Sequence, residues 1–133
     1  MPFMRVSPGL TATVNLSVRQ ADSAISLGSG DVPVLATPRL VALVEQAAVA
    51  AVAESLPAGS TTVGTNVTID HLAATAIGDE VAASATVVAV DGRRVSFSIE
   101  AHEGDKLIAR GTHSRAIVDR DRFLASLTED PTP

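Results

Sequence analysis

A chain of 133 residues suffices for one domain with an ordinary core, and with 2% aromatics and no Trp or Tyr that core must be Val, Ala, Leu and Ile. Fifteen acidic against ten basic residues give a net charge of -5 with no basic patch, which argues against nucleic acid as partner, as does the lack of rings for stacking bases. The absence of cysteine excludes disulfides and thiolate metal sites and fits a cytoplasmic location.

The opening "MPFMRVSPGL" has no apolar run of signal-peptide length. "LTATVNLSV", residues Leu10 to Val18, alternates apolar and polar and predicts a strand. "ADSAISLGSGDVPVLA" is rich in Ser, Gly and Asp, and reads as a loop or lid with one short turn. "ATPRLVALVEQAAVAAVAESL" predicts one long helix, with Thr37 as N-cap, Pro38 at the first helical position and "LPAGS" as the stop.

Four extended segments follow: "TTVGTNVTIDHLAAT", "DEVAASATVVAV" (apolar on both faces), "RRVSFSIEAHE" and "KLIARGTHSRAIV". Their joints "IGD", "DG" and "EGD" carry turn chemistry. The end of the chain, from residue 125, is expected to fray. No stretch approaches the roughly 18 apolar residues of a membrane span, because Glu45 and Gln46 interrupt the best candidate. A membrane is therefore not expected as a partner.

One strand, a loop, a long helix and four antiparallel strands make an α+β chain that must bury its helix against one sheet face. An antiparallel sheet wrapped around one long central helix is the hotdog architecture, expected here as a single domain over residues 1–133. Such domains usually pair edge to edge, so a homodimer is expected.

Within the helix, Arg39, Ala42, Gln46, Ala50 and Ala53 form a narrow polar or small stripe, the natural exposed side. Glu45 lies roughly 110° from the centre of that stripe, beside Val41, Ala48, Val49 and Val52. A carboxylate on the buried side needs a partner or a chemical purpose; one at its edge could also lean out past the alanines to water. Strand alternation puts Val63, Thr65, Val67, Ile69 and His71 on one face, which should meet the helix. A lone His there is more often a hydrogen-bonded core residue than a catalyst, but Glu45 could face it. His102 shares the polar face of its strand, and His113 is ambiguous by alternation. Three separated histidines without Cys or H-x-x-x-H spacing give no zinc site. "LGSGD" lacks the ending of a phosphate loop, and no G-x-S-x-G elbow occurs.

Four segments, "ATPRLVALVEQAA", "GTNVTIDHLAATAIGDEV", "VDGRRVSFSIEAHEG" and "IARGTHSRAIV", resemble the hotdog thioesterases close to fluoroacetyl-CoA thioesterase, from about Arg5 to Phe123. The resemblance implies a catalytic set of Thr37, Glu45 and His71. It also implies that Gly64 serves thioester carbonyl binding through its backbone N–H, and that Arg115 is a ligand-binding or structural position. No cofactor is implied beyond the CoA carried by an acyl-CoA substrate, bound at a dimer interface. Such enzymes carry lid phenylalanines that shape a small pocket; the lid here has none, which implies a different acyl group. Two other readings are a non-catalytic hotdog that binds an acyl-CoA or similar small ligand, and a dehydratase or hydratase, whose usual signature is missing.

Overall fold

The computed structural model describes residues 5–128. Five strands, β1 (Thr11–Ser17), β2 (Ser60–His71), β3 (Glu80–Asp91), β4 (Arg94–Glu103) and β5 (Lys106–Asp119), form one antiparallel sheet in the order β1-β3-β4-β5-β2. Three helices accompany them: α1 (Ala24–Leu27), α2 (Thr37–Val52) and α3 (Arg120–Leu127). This is the expected hotdog.

Helix α2 buries Leu40, Leu43, Val44, Ala47, Ala48, Ala51 and Val52, a stripe recurring at three- and four-residue spacing, against the sheet. The same core takes in Leu16 of β1, Val81, Ala83, Ala85 and Val87 of β3 and Val95, Phe97, Ile99 and Ala101 of β4, with β1 and β3 lying closest to the helix. Alanines on both sides replace bulky contacts and let helix and sheet approach closely. Strand β3 buries one face fully, while Ala82, Ser84 and Thr86 on the other are half-buried, so it is less apolar-sided than its composition suggests. Two tight hairpins carry Gly92 and Gly104 at φ 61° and 60°, where a side chain would be strained.

Three local features depart from the sequence reading. First, Ala36 takes the N-cap position and Thr37 is already helical, so no side chain caps α2. Second, the β2 ladder shifts register between Gly64 and Asn66. This bulge inserts one residue, so that Thr62 and Gly64 share the helix-facing side with Val67, Ile69 and His71, in place of Val63 and Thr65. Third, a helix, α3, follows β5 where the sequence reading has none; Asp119 caps it by accepting from Arg122 N at 2.9 Å. Residues 129–133 lie outside the described part.

The segment before α2 is a fastened lid. It holds a short 3-10 turn (Gln20–Asp22) and α1, and single bridges tie Ser23 to Leu35 and Val34 to Ala76. Asp22, 4% exposed, receives Arg39 Nε at 2.9 Å and Arg19 N at 2.8 Å. Burial opposes the ionised form of Asp22, but the Arg19 N–H and the Arg39 guanidinium together hold its carboxyl below the usual range.

Candidate active site

The residues singled out above fall into two clusters. Thr37, on the first turn of α2, and His71, at the end of β2, meet through Thr37 Oγ1 and His71 Nδ1 at 2.8 Å. Because the hydroxyl does not cap the helix, it is available for the ring. His71 Nε2 is buried without a protein partner, and the burial pushes the imidazole below its ordinary pKa against a raising contribution from Ala73. Burial thus favours the neutral ring, which keeps one nitrogen unclaimed. Beside it opens a cavity of about 350 Å³, walled by Ala24, Val32, Val34 and Leu35 of the lid, with Thr37 and His71 at its edge.

Glu45 belongs to the second cluster. Its Oε2 accepts from Arg115 Nη1 at 3.0 Å, and its side chain is 37% exposed, within reach of solvent. Arg115 is buried; its Nε donates to Thr62 Oγ1 at 2.8 Å and its Nη2 to Thr62 O at 3.1 Å. Burial lowers the Arg115 pKa, and the charge and hydrogen bond of Glu45 offset that only in part. Gly64 lies directly under the carboxylate. A Cβ there would collide with Glu45 Oε2 and stand 3.3 Å from Arg115 Nη1. His113, 1% exposed, completes the cluster, with Nε2 3.2 Å from Arg115 Nη1 and 3.9 Å from Glu45 Oε2.

Thus Thr37 and His71 come together, Glu45, Gly64 and Arg115 come together, and the two groups are apart within one chain. Eight residues of helix separate Thr37 from Glu45, about 12 Å of axis. Seven residues of strand separate Gly64 from His71, roughly 20 Å. Sequence reasoning left His113 undecided and attached Arg115 to the site only by resemblance. The spacing of the two on β5, at i and i+2, was the available signal that both share a face. His102, as expected, lies on the other face, near Glu100. Among the described residues no group of three or more His, Cys, Asp or Glu could hold a metal ion, and no helix is long and apolar enough to cross a membrane.

Comparison with known proteins places this fold in a family. The family model for fluoroacetyl-CoA-specific thioesterases matches residues 18–121. A fluoroacetyl-CoA thioesterase of Streptantibioticus cattleyicolor is 38% identical over 96 residues, which is 72% of this chain and 69% of that protein. A solved structure of the fluoroacetyl-CoA thioesterase FlK superposes with a TM-score of 0.86 at 33% identity, covering 96% of this chain and 98% of that one. A thioesterase superfamily member from Thermus thermophilus gives 0.86 at 26% identity, over 93% of each chain. The class is therefore the hotdog thioester hydrolases. Within it, the chain belongs to the fluoroacetyl-CoA-specific thioesterase family.

Proposed function

We propose that this thioester hydrolase cleaves acyl-CoA thioesters at sites formed between two copies of the chain. Glu45, Gly64 and Arg115 of one copy would face Thr37, His71 and the lid cavity of the other. The observation that carries this reading is Glu45 itself: a half-buried carboxylate pinned by a buried arginine onto a glycine that leaves no room for a side chain. The separation of the two clusters within one chain is the reason to invoke a second copy. Strand β2 supports it: it is an edge of the sheet, pairing only with β5 among the described residues, and its other edge suits a second β2. Val32, Val49 and Leu72 are large apolar residues 44–51% exposed near these elements, a pattern that marks surfaces to be covered.

In the reaction, the thioester carbonyl lies at Gly64, whose backbone N–H serves as a donor to the developing oxyanion. Glu45 supplies the attacking oxygen, its own or that of a water it deprotonates. The C–S bond breaks, and an anhydride formed by direct attack is opened by a water. One proton of that water ends on the CoA thiolate, the rest leaves with the acyl group as a carboxylic acid, and neutral His71, oriented by Thr37, hydrogen-bonds the departing sulfur. The acyl chain occupies the lid cavity. Its lid walls, Ala24, Val32, Val34 and Leu35, carry no phenylalanine to narrow it. A linear or branched acyl group of several carbons therefore fits better than fluoroacetyl.

The test is release of CoA thiol from acetyl-, fluoroacetyl-, butyryl- and hexanoyl-CoA, read with a thiol reagent that the cysteine-free protein does not disturb. Turnover should favour the longer chains and fall about 10²–10⁴-fold in Glu45→Gln. Binding of these thioesters without any turnover would replace the enzyme with an acyl-CoA binding protein.

A further inference from the structure

We infer that His113 is a positioning residue which, through Arg115, aims the Glu45 carboxylate; the inference rests on Glu45 being the reacting group. The argument is a count of hydrogens. His113 Nδ1 lies 2.7 Å from the Asn66 carbonyl oxygen, which only accepts, so Nδ1 carries the proton. Nε2 then presents a lone pair, and Arg115 Nη1 donates to it at 3.2 Å. Nη1 has two hydrogens; the second goes to Glu45 Oε2 at 3.0 Å. Thr62 takes one hydrogen from Nε and one from Nη2. Every contact of the guanidinium except that to Glu45 is thus made to strands β2 and β5. His113 fixes the one nitrogen that touches the carboxylate.

The ring is itself buried and packed on both sides. It is stacked on Phe97 with centroids 5.8 Å apart and planes at 28°, and it pairs with Val67 across the β2–β5 ladder. The arrangement requires a neutral imidazole, because a protonated Nε2 would point a hydrogen at the arginine donor. Burial, first, and Arg115 disfavour that proton, while Asn66 and Glu45 favour it, and the balance lies on the neutral side. These are the charged groups facing it: Arg115 from β5 and Glu45 from α2, with only the Phe97 ring from β4 and neutral Asn66 and Thr62 from β2. A histidine placed only to fill the core would need no lone pair at that point.

The experiment compares His113→Leu, which keeps bulk and loses the acceptor, with His113→Gln, whose amide oxygen reaches the place of Nε2. Each is made alone and with Arg115→Met, and kcat and KM are measured on whichever of the four thioesters above turns over fastest. His113→Leu should lower kcat about 10–100-fold with KM changed less than about threefold, the scale of a misplaced reacting group. His113→Gln should restore most of the loss, and neither change should lower kcat further once Arg115 is Met. Equal losses in both His113 variants, or losses that add to that of Arg115→Met, overturn the inference. A crystal structure of His113→Leu decides the same point without turnover: Glu45 should leave its seat over Gly64. If the carboxylate stays there, His113 does not position it. Absence of turnover in the unaltered protein would remove the thioesterase reading alone.

Discussion

Glu45 is the residue that the sequence makes conspicuous, since the helix around it is otherwise Leu, Val and Ala from Leu40 to Ala53 apart from its neighbour Gln46. Its surroundings explain why Gly64 carries no side chain. The carboxylate occupies the space that a Cβ would fill, and the backbone of Gly64 is not in the left-handed region, so the constraint is one of room and not of φ. Gly64→Ala should therefore fold with little change in thermal midpoint but push Glu45 off its seat. Steady-state kinetics should show kcat lower by about 100-fold, the cost of displacing a reacting group by about an ångström. The histidines give a second prediction. His71 and His113 both have pKa values lowered chiefly by burial. The unfolded chain then takes protons near pH 6.5 that the folded chain refuses, so the stability from keeping these rings neutral is complete above about 6.5 and is lost as pH falls toward the folded values. Thermal midpoints between pH 8 and 5 should drop on the acid side, and the drop should be shallower in His113→Gln.

Among the elements, the lid and β2 matter most for the site. The lid is held by two isolated bridges and the Asp22–Arg39 pair, the latter anchored two residues beyond Thr37. Arg39→Ala leaves a buried carboxylate with the Arg19 N–H and, at 4.0 Å, the exposed Arg19 guanidinium, a loss of about 1–3 kcal/mol. Hydrogen exchange should accelerate over residues 20–35, and KM for the longer thioesters should rise as the cavity loses its wall. Asp22 also sets a separate pH window. Its folded pKa is lowered, so the latch is fully present above about 3.9 and weakens as pH falls below that, well under the histidine range. Strand β2 shows how much of an element is legible in its sequence. The β-branched run "TTVGTNVTID" announced a strand correctly. The extra residue at the bulge is invisible to alternation, and it moves Gly64 rather than Val63 to the helix-facing side. Likewise Thr37 was readable as a helix start, but not its bond to His71, which lies 34 residues away.

At the scale of the whole molecule, the prediction concerns assembly. If each site draws on two copies, Glu45→Gln and His71→Ala are both inactive, but their exchanged mixture is not. Random reassortment makes half the dimers mixed, and each mixed dimer holds one intact site, so about a quarter of the unaltered activity should return. Sites confined to single chains would give none. Light scattering should find twice the 13.6 kDa of one chain, and a proline at an outward-facing β2 position should shift that toward the single chain.

The sequence by itself determined the order of strands and helix, the buried stripe of α2, the hairpin turns and the oddity of Glu45. These depend on neighbours within a few residues and on the two periods, 3.6 and 2, that local geometry imposes. Only the tertiary structure decided which side of β2 reaches the helix, that Arg115 and His113 lie beneath Glu45, and that Thr37 and His71 stand apart from them. Those facts depend on strand register and on a one-residue bulge, set by packing between segments tens of residues apart, and a local pattern carries no record of them.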